Sequence, residues 1–249
     1  MPEIELSVVI IAKNEAHQIV RCIEAAKRVS NDIWVIDSDS SDQTPELVKS
    51  AGANYVNHAW KGFAEQKNYG NSLAKSDWIL SLDADELLTL NLAQEIRQLD
   101  LSKKTKVYAV NRLNHVGETP IYHGNWNPDW QNRLFNKQTH QWNSALAVHE
   151  TLQLSAHSEV VQLSERLLHY TVQNFESYQQ KLNKYAALYR NKNKKQHAVF
   201  RSMKRLFSPL FGLIKEFIFK KGFLDGKAGF QLALLHFKYT KNKYKKLQA

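Results

Sequence analysis

From position 6 to position 11 the chain reads Leu-Ser-Val-Val-Ile-Ile. Such an apolar, β-branched run between polar residues predicts a strand buried on both faces of a parallel sheet. Past Asn14 and Glu15, apolar side chains fall at Ile19, Cys22, Ile23 and Ala26, the spacing of one helical face. A second strand is expected over 33–36, ending at Asp37. The polar turn Ser-Asp-Ser-Ser-Asp-Gln then leads to a helix opening near Thr44-Pro45, where the missing proline N–H costs little. A third strand over 53–56, a helix over 64–74 and an apolar run over 78–82 follow, the last stopping at the acidic cluster Asp83, Asp85, Glu86.

This alternation predicts an α/β fold with right-handed crossovers, in which ligands bind outside the carboxyl ends of the strands. Asn14-Glu15, Asp37-Ser38-Asp39 and Asp83-Ala84-Asp85 all fall at such ends, so one cleft can gather them. From about 106 to 172 the pattern changes to strands over 107–113, 133–135 and 166–170, separated by loops rich in Trp, Asn and His. A mixed sheet edge with an acceptor pocket is expected there. From Phe175 onward the pattern is helical, and the segments 207–219 and 223–239 combine apolar faces with lysine flanks, punctuated by Gly222 and Gly226. Basic amphipathic helices of this kind can lie in a membrane interface.

At 249 residues the chain has room for one catalytic domain and an appendage. The formal net charge of +10 is unevenly spread. Residues 1–180 hold 16 Lys+Arg against 22 Asp+Glu, or −6, whereas residues 181–249 hold 18 against 2, or +16. That tail suggests a polyanionic partner, an anionic membrane surface through 181–249 being preferred to nucleic acid, which is not expected. The single cysteine, Cys22, cannot close an internal disulfide, and the amino-terminal apolar run is too short for a signal-peptide core. No run of 18 apolar residues occurs. A cytoplasmic protein, peripheral on an anionic membrane surface, is the expectation.

Two aspartates at i and i+2 after a strand can offer hard oxygen ligands to Mg²⁺ or Mn²⁺ beside a nucleotide diphosphate. A bare Asp-x-Asp is a weak signal, and its place third in an ordered series gives it force. That series, SVVIIAKNE, WVIDSDSSDQT, KNYG and DWILSLDADE, resembles the family 2 glycosyltransferases of the GT-A fold. QNRLF, AVHE and the tail KKGFLDGKAGFQLALLHFKY are similar to those of bacterial lipopolysaccharide inner-core β-1,4-glucosyltransferases. The resemblance implies a GT-A type Rossmann-like mixed sheet with a C-terminal basic helical extension. The catalytic domain would occupy 1–173, with a nucleotide-sugar half over about 1–100 and an acceptor half over about 101–173, and the extension 174–249. It also implies a metal-dependent, inverting transfer of a hexose, glucose from a UDP-glucose donor, onto a heptose of the lipopolysaccharide core.

Carried over by position, the resemblance sets Ala12, Asn14 and Glu15 around the nucleotide and Asp37 near the uracil. Many relatives have Asp-Asp-Gly-Ser where this chain has Asp37-Ser38-Asp39-Ser40, so Asp37 and Asp39 both remain candidates for the base contact. Lys67 falls at a basic position facing the nucleotide or diphosphate, and Arg133 can hold a phosphate with its planar fork. Asp85 is expected to bind the metal directly, with Asp83 at the ribose, at a bound water or as a further ligand. An inverting transfer needs a base opposite the leaving diphosphate. Glu150 is the candidate, with His149 competing as base or as third metal ligand. Trp126, Trp130 and Trp142 offer flat faces to sugars. Competing readings are another nucleotide-sugar transferase acting on a different cell-surface glycan or lipid, a nucleotidyltransferase, and a non-catalytic polyanion binder. No Gly-rich phosphate loop supports the nucleotidyltransferase, and the intact Asp83/Asp85 pair opposes the binder.

Overall fold

The computed structural model describes residues 5–144, 151–192 and 198–245. The chain forms two compact units, one from Met1–Arg112 and Trp130–His169, the other from Leu113–Asp129 and Tyr170–Ala249.

In the first unit β1 (Ser7–Ala12) is buried at every position, as its unbroken apolar run requires. It pairs in parallel with β2 (Ile33–Asp37) on one side and β4 (Trp78–Asp83) on the other, and β3 (Asn54–Asn57) extends the parallel set beyond β2. Antiparallel strands complete the sheet: β8 (Trp130–Asn136) against β4, β6 (Lys106–Val116) against β8, then β9 (Glu159–Val172) and β5 (Glu86–Leu88). The resulting order, β3-β2-β1-β4-β8-β6-β9-β5, is the mixed α/β sheet expected from the alternation and the change of pattern after residue 106.

α1 (Ile19–Ala26) buries Ile19, Cys22, Ile23 and Ala26, the residues whose spacing predicted it. α2 (Thr44–Ser50) opens at the Thr-Pro pair. α3 (Phe63–Leu73) lies so close to the sheet that a Cβ at Gly70 would come within 2.4 Å of Val9 Cγ1 and 2.8 Å of Ile36 Cγ1. Val9, Ile36, Ile79, Phe135 and Trp142 form the core beneath it. Each fully buried side chain of this size stabilises the fold by about 1.5–3 kcal/mol. α4 (Leu90–Arg97) follows β5, and the Thr89 hydroxyl caps it by accepting from Leu92 N at 3.0 Å.

The second unit packs Val116, Ile121, Tyr178, Leu182, Leu232 and Leu235 into its own core. Its helices are α5 (Phe175–Lys192), α6 (Ala198–Ile214) and α7 (Gly226–Lys243), with a π-helical turn over Lys215–Phe219 and a 3₁₀ turn over Gly222–Asp225. The short strand β7 (Thr119–Pro120) and a 3₁₀ turn over Gly124–Trp126 come from the stretch 113–129, which the sequence placed in the acceptor half. Gly222 and Gly229 meet backbone to backbone, a Cβ at Gly229 falling 1.9 Å from Gly222 O. Glu216 is buried and hydrogen-bonded to His236 Nδ1 at 2.8 Å, whose Nε2 meets the Tyr178 hydroxyl at 2.6 Å.

Candidate functional site

Parallel pairing of β1 with β2 and β4 brings the sequence clusters level. Ala12 stands opposite Asp37 and Ile11 opposite Asp83, so the predicted nucleotide and metal residues share the carboxyl edge of three adjacent strands. Beyond that edge the first two loops are laced together. Asn14, at φ 55°, donates its N–H to Ser40 Oγ at 2.7 Å, and its side-chain oxygen accepts from Ser41 N at 2.8 Å. Asn tolerates the left-handed region better than most residues, which suits it to both duties. Glu15 N donates to Thr44 Oγ1 at 2.9 Å.

The two candidates for the base contact differ in surroundings. Asp37 is 1% exposed, and its carboxylate accepts from Ser40 N at 2.9 Å and from the Tyr55 hydroxyl at 3.3 Å. Asp39, also left-handed at φ 55°, lies on the surface and accepts from Asn57 Nδ2 at 2.9 Å.

At the metal end, Asp83 sits between two cations. Lys67 Nζ lies 3.0 Å from its Oδ1 and Arg133 Nη2 2.9 Å from its Oδ2. Burial opposes its ionisation, but the Lys67 and Arg133 charges outweigh burial and hold its carboxyl well below the usual carboxylate range. Arg133 also meets Glu86 Oε1 at 2.5 Å, Arg112 meets the same oxygen at 3.0 Å, and Glu86 Oε2 accepts from Asp83 N at 3.1 Å. Lys67 and Glu86 are fully buried and Arg133 nearly so, which ion pairing makes tolerable. Lys67 is therefore no surface lysine, and Arg133, rather than standing at a strand edge, is wedged between two carboxylates.

Asp85 differs in its partner rather than in its exposure: its side chain is 27% exposed, as is that of Asp83, but its Oδ2 lies 3.4 Å from His169 Nε2. β9 supplies that histidine, in register with Glu86 on β5. Glu15 faces the same concentration of negative charge. Burial, then Asp85, Asp42 and Asp83, push its carboxyl up to about 7. Among the described residues no group of three or more His, Cys, Asp or Glu side chains is arranged to hold a metal ion. Asp85 offers a carboxylate suited to Mg²⁺ or Mn²⁺ and His169 a nitrogen donor that suits Mn²⁺ better than Mg²⁺, and diphosphate oxygens and water would have to complete the shell. The donor set fits a metal that arrives with a nucleotide rather than one caged by protein alone.

α3 does more than deliver Lys67. Asn68 brackets the backbone of Trp142, donating to its O and accepting from its N, both at 2.9 Å, while Lys67 Nζ lies 4.6 Å from the Trp142 ring. Residues 141–143 pair with 151–153 as a short ribbon, through Asn143 N to Thr151 O at 2.9 Å and Gln153 N to Gln141 O at 2.8 Å. The candidate bases His149 and Glu150 fall in the sequence between these two segments and lie outside the described residues.

The tryptophans do not share one surface. Trp142 is core, Trp130 is 38% exposed on β8, and Trp126 belongs to the second unit, edge-on to Tyr178. His115 and His140 are buried, and His123 pairs with Asp225 at 2.9 Å. Sequence reasoning named Glu86 only as part of the acidic cluster, and gave Arg112 and His169 no role at the site. Glu86 at least followed the Asp-x-Asp directly, whereas Arg112 and His169 carry no local signal.

Residues 7–154 match the model of glycosyl transferase family 2. A protein of Rickettsia bellii described as an uncharacterised glycosyltransferase is 29% identical over 242 residues, covering 91% of this chain and 80% of its own. The lipopolysaccharide core biosynthesis glycosyltransferase LpsC of Rhizobium meliloti is 34% identical over 104 residues, 40% of this chain and 38% of its own. Among solved structures, residues 1–349 of S. aureus TarS align with a TM-score of 0.47 at 13% identity, covering 76% of this chain and 66% of that one.

Proposed function

The chain belongs to glycosyl transferase family 2, and from that premise we propose that it moves a hexose from a UDP-sugar to a hydroxyl of the lipopolysaccharide core, with inversion. The observation that carries the reading is the division of labour at the carboxyl edge of β4. Asp83 is held by Lys67 and Arg133, leaving Asp85 beside His169 to hold a divalent metal. A bound Mg²⁺ or Mn²⁺ would offset the charge that builds on the departing diphosphate. Lys67 and Arg133 add fixed positive charge at the same edge, where it counts most because the groups are withdrawn from water. Ala12, Asn14, Glu15 and one of Asp37 and Asp39 form the nucleoside end. Exposed Asp39 is the more accessible to a base, and buried Asp37 shapes the loop that presents it.

Glu150 takes the proton from the attacking hydroxyl in this reading, with His149 as the alternative. The LpsC likeness supports a core-oligosaccharide acceptor, and glucose onto heptose is the specific transfer proposed. The same reading puts the protein on the cytoplasmic face of the inner membrane.

The test incubates the protein with UDP-glucose, UDP-galactose or UDP-N-acetylglucosamine, Mg²⁺ or Mn²⁺, and truncated lipopolysaccharide acceptors. Glucose transfer that needs metal and falls by about 10² or more in Asp85→Ala is expected. No turnover with any donor would sink the reading. Transfer from another donor would correct only the sugar.

A further inference from the structure

The second unit presents an apolar face that its own core does not use. Along α6 and the π-helical turn, Leu206, Phe207, Leu210, Phe211, Ile218 and Phe219 recur at intervals of about one helical turn and are each 53% or more exposed. A contiguous run of large apolar side chains left in water marks an interaction surface. Arg205, Lys215, Lys220, Lys221 and Lys227 stand exposed around it.

The acids of this stretch are withheld from that surface. Between residues 181 and 249 only Glu216 and Asp225 are acidic, against 18 Lys+Arg. Glu216 is 2% exposed and meets His236 at 2.8 Å, with Asn125 Nδ2 on its second oxygen at 2.8 Å. The Asp225 side chain is 3% exposed and accepts from His123 N at 2.8 Å. The face thus combines exposed aromatic and aliphatic side chains with positive charge that no exposed carboxylate of the segment offsets.

We propose that the α6 face, from Leu206 to Phe219, is a docking surface for an anionic lipid bilayer, lying in the headgroup region with the lysines on acidic phosphates. The charge selects this occupant. A second copy would bring a +16 segment against its equal, whereas anionic lipid meets apolar stripe and basic rim together. No described helix is long and apolar enough to cross a membrane, so the segment lies on the bilayer rather than through it. This inference does not depend on the transferase reading, since it uses none of the residues at the carboxyl edge of the sheet.

The experiment is co-sedimentation of the full chain with phosphatidylcholine vesicles, with and without phosphatidylglycerol. Binding is expected only with phosphatidylglycerol and should weaken as salt rises. The double variant Phe207→Ser/Phe211→Ser, at positions 62% and 65% exposed, is expected to lose tenfold or more in vesicle affinity. Its circular dichroism and UDP-sugar turnover in solution should be unchanged. The pair Lys215→Glu/Lys220→Glu should bind weakly and with a shallower salt dependence. Retention of the serine variant at the wild-type level would overturn the proposal, as would equal binding to uncharged vesicles. So would a wild-type dimer that the serine variant dissolves while neither protein binds lipid, which would give the face to a second copy.

Discussion

Lys67 and Asp83 form an ion pair at the site, a fully buried ammonium 3.0 Å from a carboxylate that Arg133 also holds. Removing Asp83 takes this carboxylate from a fully buried ammonium, whereas removing Lys67 leaves a 27% exposed carboxylate that Arg133 still holds. Asp83→Asn is therefore expected to destabilise by about 3–5 kcal/mol, and Lys67→Met by less. The double variant should lose clearly less than the sum, a coupling readable from urea unfolding. Additive losses would show that Arg133 alone balances Asp83. Glu15 makes a pH prediction at the same scale. Its folded-state carboxyl is raised from 4.5 to about 7, so the folded chain binds this proton more tightly than the unfolded one. Its contribution to stability is full below about pH 4.5 and is lost as pH rises through about 7. Metal-free protein should lose stability between pH 5 and pH 8, and Glu15→Gln should flatten that slope; an unchanged slope would place the cause elsewhere. None of this was legible in the sequence beyond the positions themselves. A lysine on a helix is ordinarily solvated, and nothing around KNYG announces that its lysine lies beneath Asp83 rather than in water.

The three residues of α3 that matter have three separate duties: Lys67 carries charge, Asn68 holds Trp142, and Gly70 lets the helix approach β1 and β2. Gly70→Ala should cost about 1–3 kcal/mol, because the added methyl meets branched side chains of packed strands, and should lower the melting temperature by several degrees. An unshifted melting curve would mean that the helix can lift without loss. Elements with a full period were readable. The four apolar positions of α1 predict its buried face, and the unbroken run of β1 predicts a strand covered on both sides. β5, only Glu86–Leu88, is too short to display any period, and α4 hid behind it. β9 runs over Glu159–Val172 with mixed burial, so only its 166–170 part stood out. That short, unsignalled β5–β9 pair is what brings His169 to Asp85.

For the molecule as a whole, the sequence pointed to an acidic body and a basic helical tail, and the structure divides into two compact units of which the second takes in 113–129 as well as 170–249. The extra piece, 113–129, could not be assigned from its own residues. It joins the second unit through contacts distant in sequence, such as Asn125 with Glu216 and His123 with Asp225. Those two contacts make the acids of 181–249 a reporter. A glutamate-specific endoprotease finds no Glu other than Glu216 in this stretch, and in the folded protein that residue is buried. Cleavage there should then track opening of the second unit and nothing smaller. Native protein is expected to yield the segment intact, and His236→Ala, which strips Glu216 of its imidazole, should release two fragments at a rate set by how often the unit opens. Rapid cutting of the native chain at Glu216 would contradict its burial. The histidine pairs that clear the surface of negative charge thus also leave a single latent scissile bond, by which the tail's unfolding can be timed separately from the sheet's.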